Sequence, residues 1–310
     1  DIDMTGYDWK PIEGFGAYEF DGGNFAIKGL NASLFGATEA TIKNVKLTDV
    51  NINAMSNIAY GVIAHSITNG GLENCSASGK LTYNYTAIFQ RVGGLVGHLK
   101  SSSFFGCTND VDITIVGTAE GEATDASMHF GGLVGWLENP TTKITNCVNN
   151  GTILGEGAIM RIDAGGFIGY CDAAANIENC HVVDSHIEDS YWACGVIAGL
   201  YNSGSITNCS VDGCNVKSNG GVGGIVGVIN ESAGERKIEN CSVKNTTVKA
   251  YRDLGGLFGF AQGVYAENCV VENVTVEQDL TNAYKDEVPT TVGDVIGRDS
   301  GYNEIDISWR

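Results

Sequence analysis

Proline and positive charge are both scarce in this chain of 310 residues: 3 prolines, and 18 lysines and arginines against 37 acidic residues. The resulting formal charge of -19 repels nucleic acid and anionic membrane surfaces at long range, so neither is expected as a partner. No run of about 18 apolar residues occurs, which excludes a membrane-inserted helix. Residues Asp1 to Lys10 lack the basic start and apolar stretch of a signal peptide, so an export signal is not expected within this sequence. There is no CxxC pair for a zinc site, no GxSxG nucleophile motif, and no EF-hand or GGxGxD calcium loop. No metal or cofactor is therefore expected. What is abundant is glycine, 43 residues, a composition of short strands and tight turns rather than of an ordinary enzyme domain.

A glycine-apolar-apolar-glycine core recurs along the chain. It ends at Gly36, Ala64, Gly97, Gly135, Gly169, Ala198, Gly227, Gly259 and Gly297, at intervals of 28 to 38 residues. A second landmark follows each of the first eight cores: Asn44-Val45, Asn74-Cys75, Gly106-Cys107, Asn146-Cys147, Asn179-Cys180, Asn208-Cys209, Asn240-Cys241 and Asn268-Cys269. Beyond it come alternating, valine- and threonine-rich segments such as "SVKNTTVKA" (242–250), which read as strands. A unit of this size cannot bury its own apolar face and must stack on the next. The expected fold is all-β: a single parallel β-solenoid, or β-helix, right-handed, of about nine coils with about three short strands each. Residues 1–31 form a lead-in cap, 32–297 the repeats and 298–310 a C-terminal cap.

The "GGLVG" and "GGIVG" cores followed by "ITNC" and "IENC", with the opening "DIDMTGYDWKPIEGFGAYEFDGGNFAIKGLN", resemble the GLUG-motif repeats of bacterial surface and secreted proteins. The resemblance covers nearly the whole chain. It implies an adhesin-like, extracellular or cell-surface protein, part of a longer chain, and brings no catalytic motif.

The repeated residues carry structural expectations. Gly94, Gly97, Gly132, Gly135, Gly166, Gly169, Gly224, Gly227, Gly256 and Gly259 permit backbone angles and close coil-to-coil approach that a Cβ would block. Asn146, Asn179, Asn208, Asn240 and Asn268 suit a left-handed corner, with their amides laddered and buried, out of reach of glycosylation. Cys147, Cys180, Cys209, Cys241 and Cys269 stack as small buried thiols, since parallel Cβ vectors disfavour disulfides; Cys171, Cys194 and Cys214 lie outside that column and are the candidates for an exception. Paired apolar residues such as Leu133 and Val134 both need burial, which a corner would allow.

Function is expected where the repeat is interrupted. Insertions follow Cys75, Cys107, Cys147 and Cys269 at the same point of the coil and should emerge on one edge. They hold Tyr83, Tyr85, Phe89, Arg91, Arg161 and Asp163, a combination of aromatic faces, donor forks and an acid suited to sugars or protein contact. A second candidate is the column after each core: His98, Trp136, Tyr170 and Phe260, with Tyr201 near it. The acidic and histidine cluster His181, Asp184, His186, Glu188, Asp189, Tyr191 and Trp192 is the richest stretch for catalysis, but His181 and His186 would point to opposite faces of one strand. The functional expectation is a non-enzymatic protein binding a glycan or an extracellular protein along one edge. The alternatives are a polysaccharide-cleaving β-helix enzyme, favoured by two carboxylates beside a basic residue in a groove, and a structural stalk.

Alkylation after denaturation without reductant should label all ten cysteines; a label count of eight by intact mass would show one disulfide instead.

Overall fold

A computed structural model describes all residues except 17, 56–57, 86–88, 118–126, 139–141, 157–161, 189–191, 231–235, 280–290 and 310. The described residues form 39 strands and no helix. All pairing between strands is parallel, and 31 strands join into one continuous sheet that winds around the core while 8 form a second, smaller sheet. This is the parallel β-solenoid that the repeat predicts. The eight stacked strands of the smaller sheet are separated by seven steps, about seven turns, and nine strands of the main sheet stack in one ladder from Phe35 to Ile296. Four or five short strands fill a coil where three were expected: the coil starting at Ala193 holds Ala193–Gly195, Ala198–Thr207, Ser210–Asp212 and Asn215–Ser218.

Corners are set by residue type. Asn44, Asn74, Asn146, Asn179, Asn208, Asn240 and Asn268 all have φ between 51° and 55°, and Gly106 takes their place at φ 64°. Asparagine tolerates this left-handed turn better than any other side chain but glycine. The expectation that these amides are buried is corrected: Asn146, Asn208, Asn240 and Asn268 are exposed, because the corner turns their side chains outward. The cysteine that follows points inward. All ten thiols are free and buried. In the column each S–H reaches the carbonyl two residues back, as Cys209 does to Thr207 at 3.2 Å and Cys241 to Glu239 at 3.2 Å.

The glycines act by close approach, and the closing glycines of the cores have ordinary φ. A Cβ on Gly97 would lie 2.3 Å from the Tyr60 amide nitrogen, on Gly135 2.4 Å from that of Val92, on Gly169 2.4 Å from that of Phe130, on Gly227 2.5 Å from that of Cys194, and on Gly259 2.2 Å from that of Val222. Each of those amides belongs to the smaller sheet one coil earlier. The opening glycines press on the next coil instead, as Gly94 does on the Gly132 carbonyl and Gly224 on that of Gly256. Between the two contacts the chain turns so sharply that Leu133 and Val134, and likewise Phe167 and Ile168, are all fully buried in one core. That is the corner expected for the paired apolar residues.

At the N-terminal end Phe15, Phe20 and Phe35 pack with ring centroids 5.1 to 5.8 Å apart, and the Trp9 indole donates to the Ser33 carbonyl at 2.9 Å. At the other end Glu304–Trp309 continues the ladder as a strand against Tyr265–Glu272.

Replacing Gly135 with alanine should lower stability by about 1–3 kcal/mol, because backbone rather than a flexible side chain must move. Gly16→Ala, where the nearest atom is 3.8 Å away, should leave the denaturation midpoint almost unchanged; equal midpoints for the two variants would refute the close-approach role.

Candidate functional site

The Gly-x-x-Gly corner brings two columns of side chains face to face. One runs up the smaller sheet through residues two positions before the glycine that ends each strand: Arg91, His129, Asp163, Ala193 and Gly221 stand in register on successive strands. The other runs up the main sheet through the residue after the closing glycine: His98, Trp136, Tyr170, Leu200, Val228, Phe260 and Arg298. Each coil therefore opposes residues seven apart, 91 with 98, 129 with 136, 163 with 170. The facing is visible in contacts: Arg91 Nη1 lies 3.4 Å from His98 Nδ1, and the His129 ring sits 4.7 Å from Tyr170 and 5.7 Å from Trp136.

The first three of these coils are polar. The Arg91 guanidinium lies over the Trp136 ring, 3.6 Å from its centroid. His98 Nε2 is 2.9 Å from Glu138 Oε2, whose other oxygen accepts from Lys100 at 2.8 Å. One tautomer satisfies both His98 contacts: a neutral ring whose Nδ1 accepts from Arg91 and whose Nε2–H donates to Glu138. Burial, followed by the charge of Arg91, pushes the His98 pKa below its usual 6.5 and so favours that neutral ring. Burial also lowers Arg91, against the pull of Glu138. The Lys100 hydrogen bond is the largest cause holding Glu138 below the ordinary carboxylate value. Tyr170 is pushed up to about 12, first by burial and then by its hydrogen bond to Asp172 at 2.9 Å.

Deeper in the corner, His129 Nδ1 is 3.0 Å from Asp163 Oδ2, close but not aligned as a hydrogen bond, and the two side chains are 7% and 1% exposed. Asp163 Oδ1 and the Trp136 indole Nε1 are also buried with no hydrogen-bond partner among the described residues. The acceptor and the donor lie on adjacent coils, each sealed from solvent.

Further along, the facing residues become small and apolar. Ala193, Leu200 and Val228 form a hydrophobic cluster separate from the main core, edged by Tyr170, Trp192 and Phe260.

The expected edge is thus partly reassigned. Tyr83 and Tyr85 are not surface ligands: they are 0% and 1% exposed, within the strand Ser76–Tyr85, where Leu81, Tyr83 and Tyr85 alternate into the core. The Tyr83 hydroxyl bonds to Gln90 Oε1. Asp163 is buried as well, and it serves the groove as a paired carboxylate in its floor rather than as an exposed loop acid. Phe89 is 53% exposed at the start of the strand that carries Arg91. Arg161 lies outside the described residues, as do 118–126 and 157–161 of the insertions. Among the second candidates, His98, Trp136, Tyr170 and Phe260 are all half-buried in one column, but Tyr201 leaves it, fully buried with its hydroxyl on the Ala175 carbonyl at 3.0 Å. His129 was missed, although its place in "HFGG" matches Arg91 in "RVGG" and Asp163 in "DAGG".

The cluster at His181–Trp192 is dispersed. His181 contacts Ser210 at 2.8 Å, His186 and Lys217 bind Glu188, and Asp184 turns the corner at φ 50°. Asp189 and Tyr191 lie outside the described residues. No group of three metal-ligating side chains exists among the described residues.

No sequence-family profile and no curated protein matches this chain. Among solved structures it is similar to a protein from Bacteroides ovatus provisionally described as an immunoglobulin A1 protease, at 20% identity and TM-score 0.41, over 95% of this chain and 75% of that one. It is also similar to the catalytic domain of a GH87 alpha-1,3-glucanase in complex with nigerose, at 12% identity and TM-score 0.29, over 96% of this chain and 65% of the other.

The lowered pKa values of His98 and Glu138 give a signed expectation. Each folded group resists protonation, so its contribution is present above the unfolded value, near 6.5 and 4.5, and lost as pH falls through the folded value. The urea midpoint should decline from pH 7 to pH 4; His98→Asn should flatten the upper part of the decline and Glu138→Gln the lower part, and an unchanged profile in both would contradict the assignment.

Proposed function

We propose that the corner groove of the Arg91, His129 and Asp163 coils binds a glycan, and that the protein is a non-enzymatic, adhesin-like member of the GLUG-repeat surface proteins, exported to the bacterial cell surface or beyond. The observation that carries the reading is the half-buried column His98, Trp136, Tyr170 and Phe260 with the Arg91 guanidinium lying over Trp136. The C–H faces of a sugar ring meet that column, while its hydroxyls accept from Arg91 and donate to Glu138 at its side. Two rigid columns on stacked strands hold these groups in place without help from a loop, which lowers the ordering cost of binding an extended chain. No nucleic acid and no membrane insertion enter this reading, and no helix among the described residues is long and apolar enough to cross a membrane.

A polysaccharide-cleaving enzyme has one observation in its favour: Asp163 and Glu138 share the groove with Arg91. Both carboxylates are engaged, Asp163 with His129 and Glu138 with His98 and Lys100. Neither stands as an uncommitted acid or base.

The test is a glycan array followed by calorimetric titration of each hit, with a turnover assay alongside. Trp136→Ala removes the central ring of the column, so affinity should fall about tenfold with no product formed. Product from any glycan would make the protein an enzyme. Binding of extracellular proteins but no glycan, or silence throughout, would overturn the glycan reading in favour of a protein adhesin or a stalk.

A further inference from the structure

The chain has six arginines, and three of the four described ones lie on aromatic rings of the groove. Arg91 lies on Trp136 at 3.6 Å, Arg252 on Trp192 at 5.3 Å and Arg298 on Phe260 at 5.1 Å. Arg236 is buried, donating from Nε to the Asn202 carbonyl at 2.9 Å, and Asn202 in turn donates to the Tyr170 hydroxyl at 3.2 Å. Lys100 pairs with Glu138 at the groove, and other lysines hold ion pairs elsewhere around the coil, as Lys43 does with Glu19 and Lys244 with Glu272.

A guanidinium lying flat on a ring has its face covered and its rotation stopped, while its N–H edge still points outward in the plane. That edge matches two oxygens of a carboxylate or sulfate. Arg91 has no carboxylate within 4 Å among the described residues, although acidic side chains outnumber basic ones about two to one, whereas Arg298 is already paired with the buried Asp253 at 3.8 Å. The nearby acids are engaged: Glu138 by His98 and Lys100, Asp163 by His129, and Asp172 by the Tyr170 hydroxyl.

We infer that the glycan is anionic, with a carboxylate or sulfate group bound in plane by Arg91 and a second such group met by Arg252 at the far end of the groove. The inference rests on the glycan-binding reading above and names its substrate class. The strands near Arg91 and Arg252 are five coils apart, roughly 24 Å at the usual strand spacing, so a short acidic sugar reaches one end and an extended chain reaches both. With a net charge of -19 the protein does not attract such a polymer from a distance; selectivity arises in contact, inside the roughly 8 Å over which physiological salt leaves charges unscreened.

The experiment titrates the full chain with three oligosaccharides long enough to span the groove: a galacturonate, its fully methyl-esterified form, and a sulfated glycan. The acidic form should bind at least about tenfold more tightly than the ester. Arg91→Gln should abolish that preference, Arg91→Lys should restore part of it, and Arg252→Gln should weaken the long galacturonate but not a short one; melting curves establish that each variant is folded. Binding of galacturonate alone identifies a carboxylate, and binding of the sulfated chain alone a sulfate ester. Equal affinity for acid and ester, or a preference that survives Arg91→Gln, would sink the inference. The glycan reading would still stand if ester binding fell in Trp136→Ala, whereas no binding to any of the three or to any other glycan would end both.

Discussion

The structure depends on one contact: the closing glycine of each core pressed against a backbone nitrogen of the coil before it. At 2.2 to 2.5 Å from that nitrogen there is no room for a Cβ, so two sheets meet backbone to backbone where side chains would ordinarily separate them. The sharp corner that follows lets both apolar residues of the core turn inward. It also places the residue before the corner opposite the residue after it, seven positions on. Core and groove are therefore two sides of one steric constraint. The thiol column completes the other corner, where a cysteine is small enough for the stack and its S–H reaches a carbonyl that also accepts from the corner amide of the coil before.

Much of this is written in the sequence because a solenoid is a local object. Period, parallel stacking, asparagine corners and buried cysteines each need only the neighbouring coil, and each shows in the spacing of Gly, Asn and Cys. Depth around the coil was harder to read. In "LTYNYTAIFQR" the alternation of Leu81, Tyr83 and Tyr85 is a strand signal, but the irregularity at Gly79, with φ 130°, shifts the register, and the aromatic content suggested an exposed loop. The exposure of the corner asparagines was misread for a related reason: a left-handed residue reverses which way its side chain points.

The site was legible in pieces. Arg91 and Asp163 were singled out as members of insertions, and His98, Trp136 and Tyr170 as a separate column; only the corner shows that they belong together. His129 carried the same signal as its neighbours, the second position before the glycine pair. Its partner Asp163 lies 34 residues away in the chain but one strand away in space, a relation that spacing along a single unit does not express.

The seven-residue interval has a consequence for how such a surface changes over time. Each coil contributes one facing pair, and neither member of the pair belongs to the main core. Arg91 with His98, His129 with Trp136, Ala193 with Leu200 and Gly221 with Val228 are four different pairs set in the same frame of glycines. The groove behaves like a line of type in which any character can be replaced while the press stays the same. Loss or duplication of a whole coil would move every later character by one place and keep the frame intact, so specificity can drift while the architecture holds still.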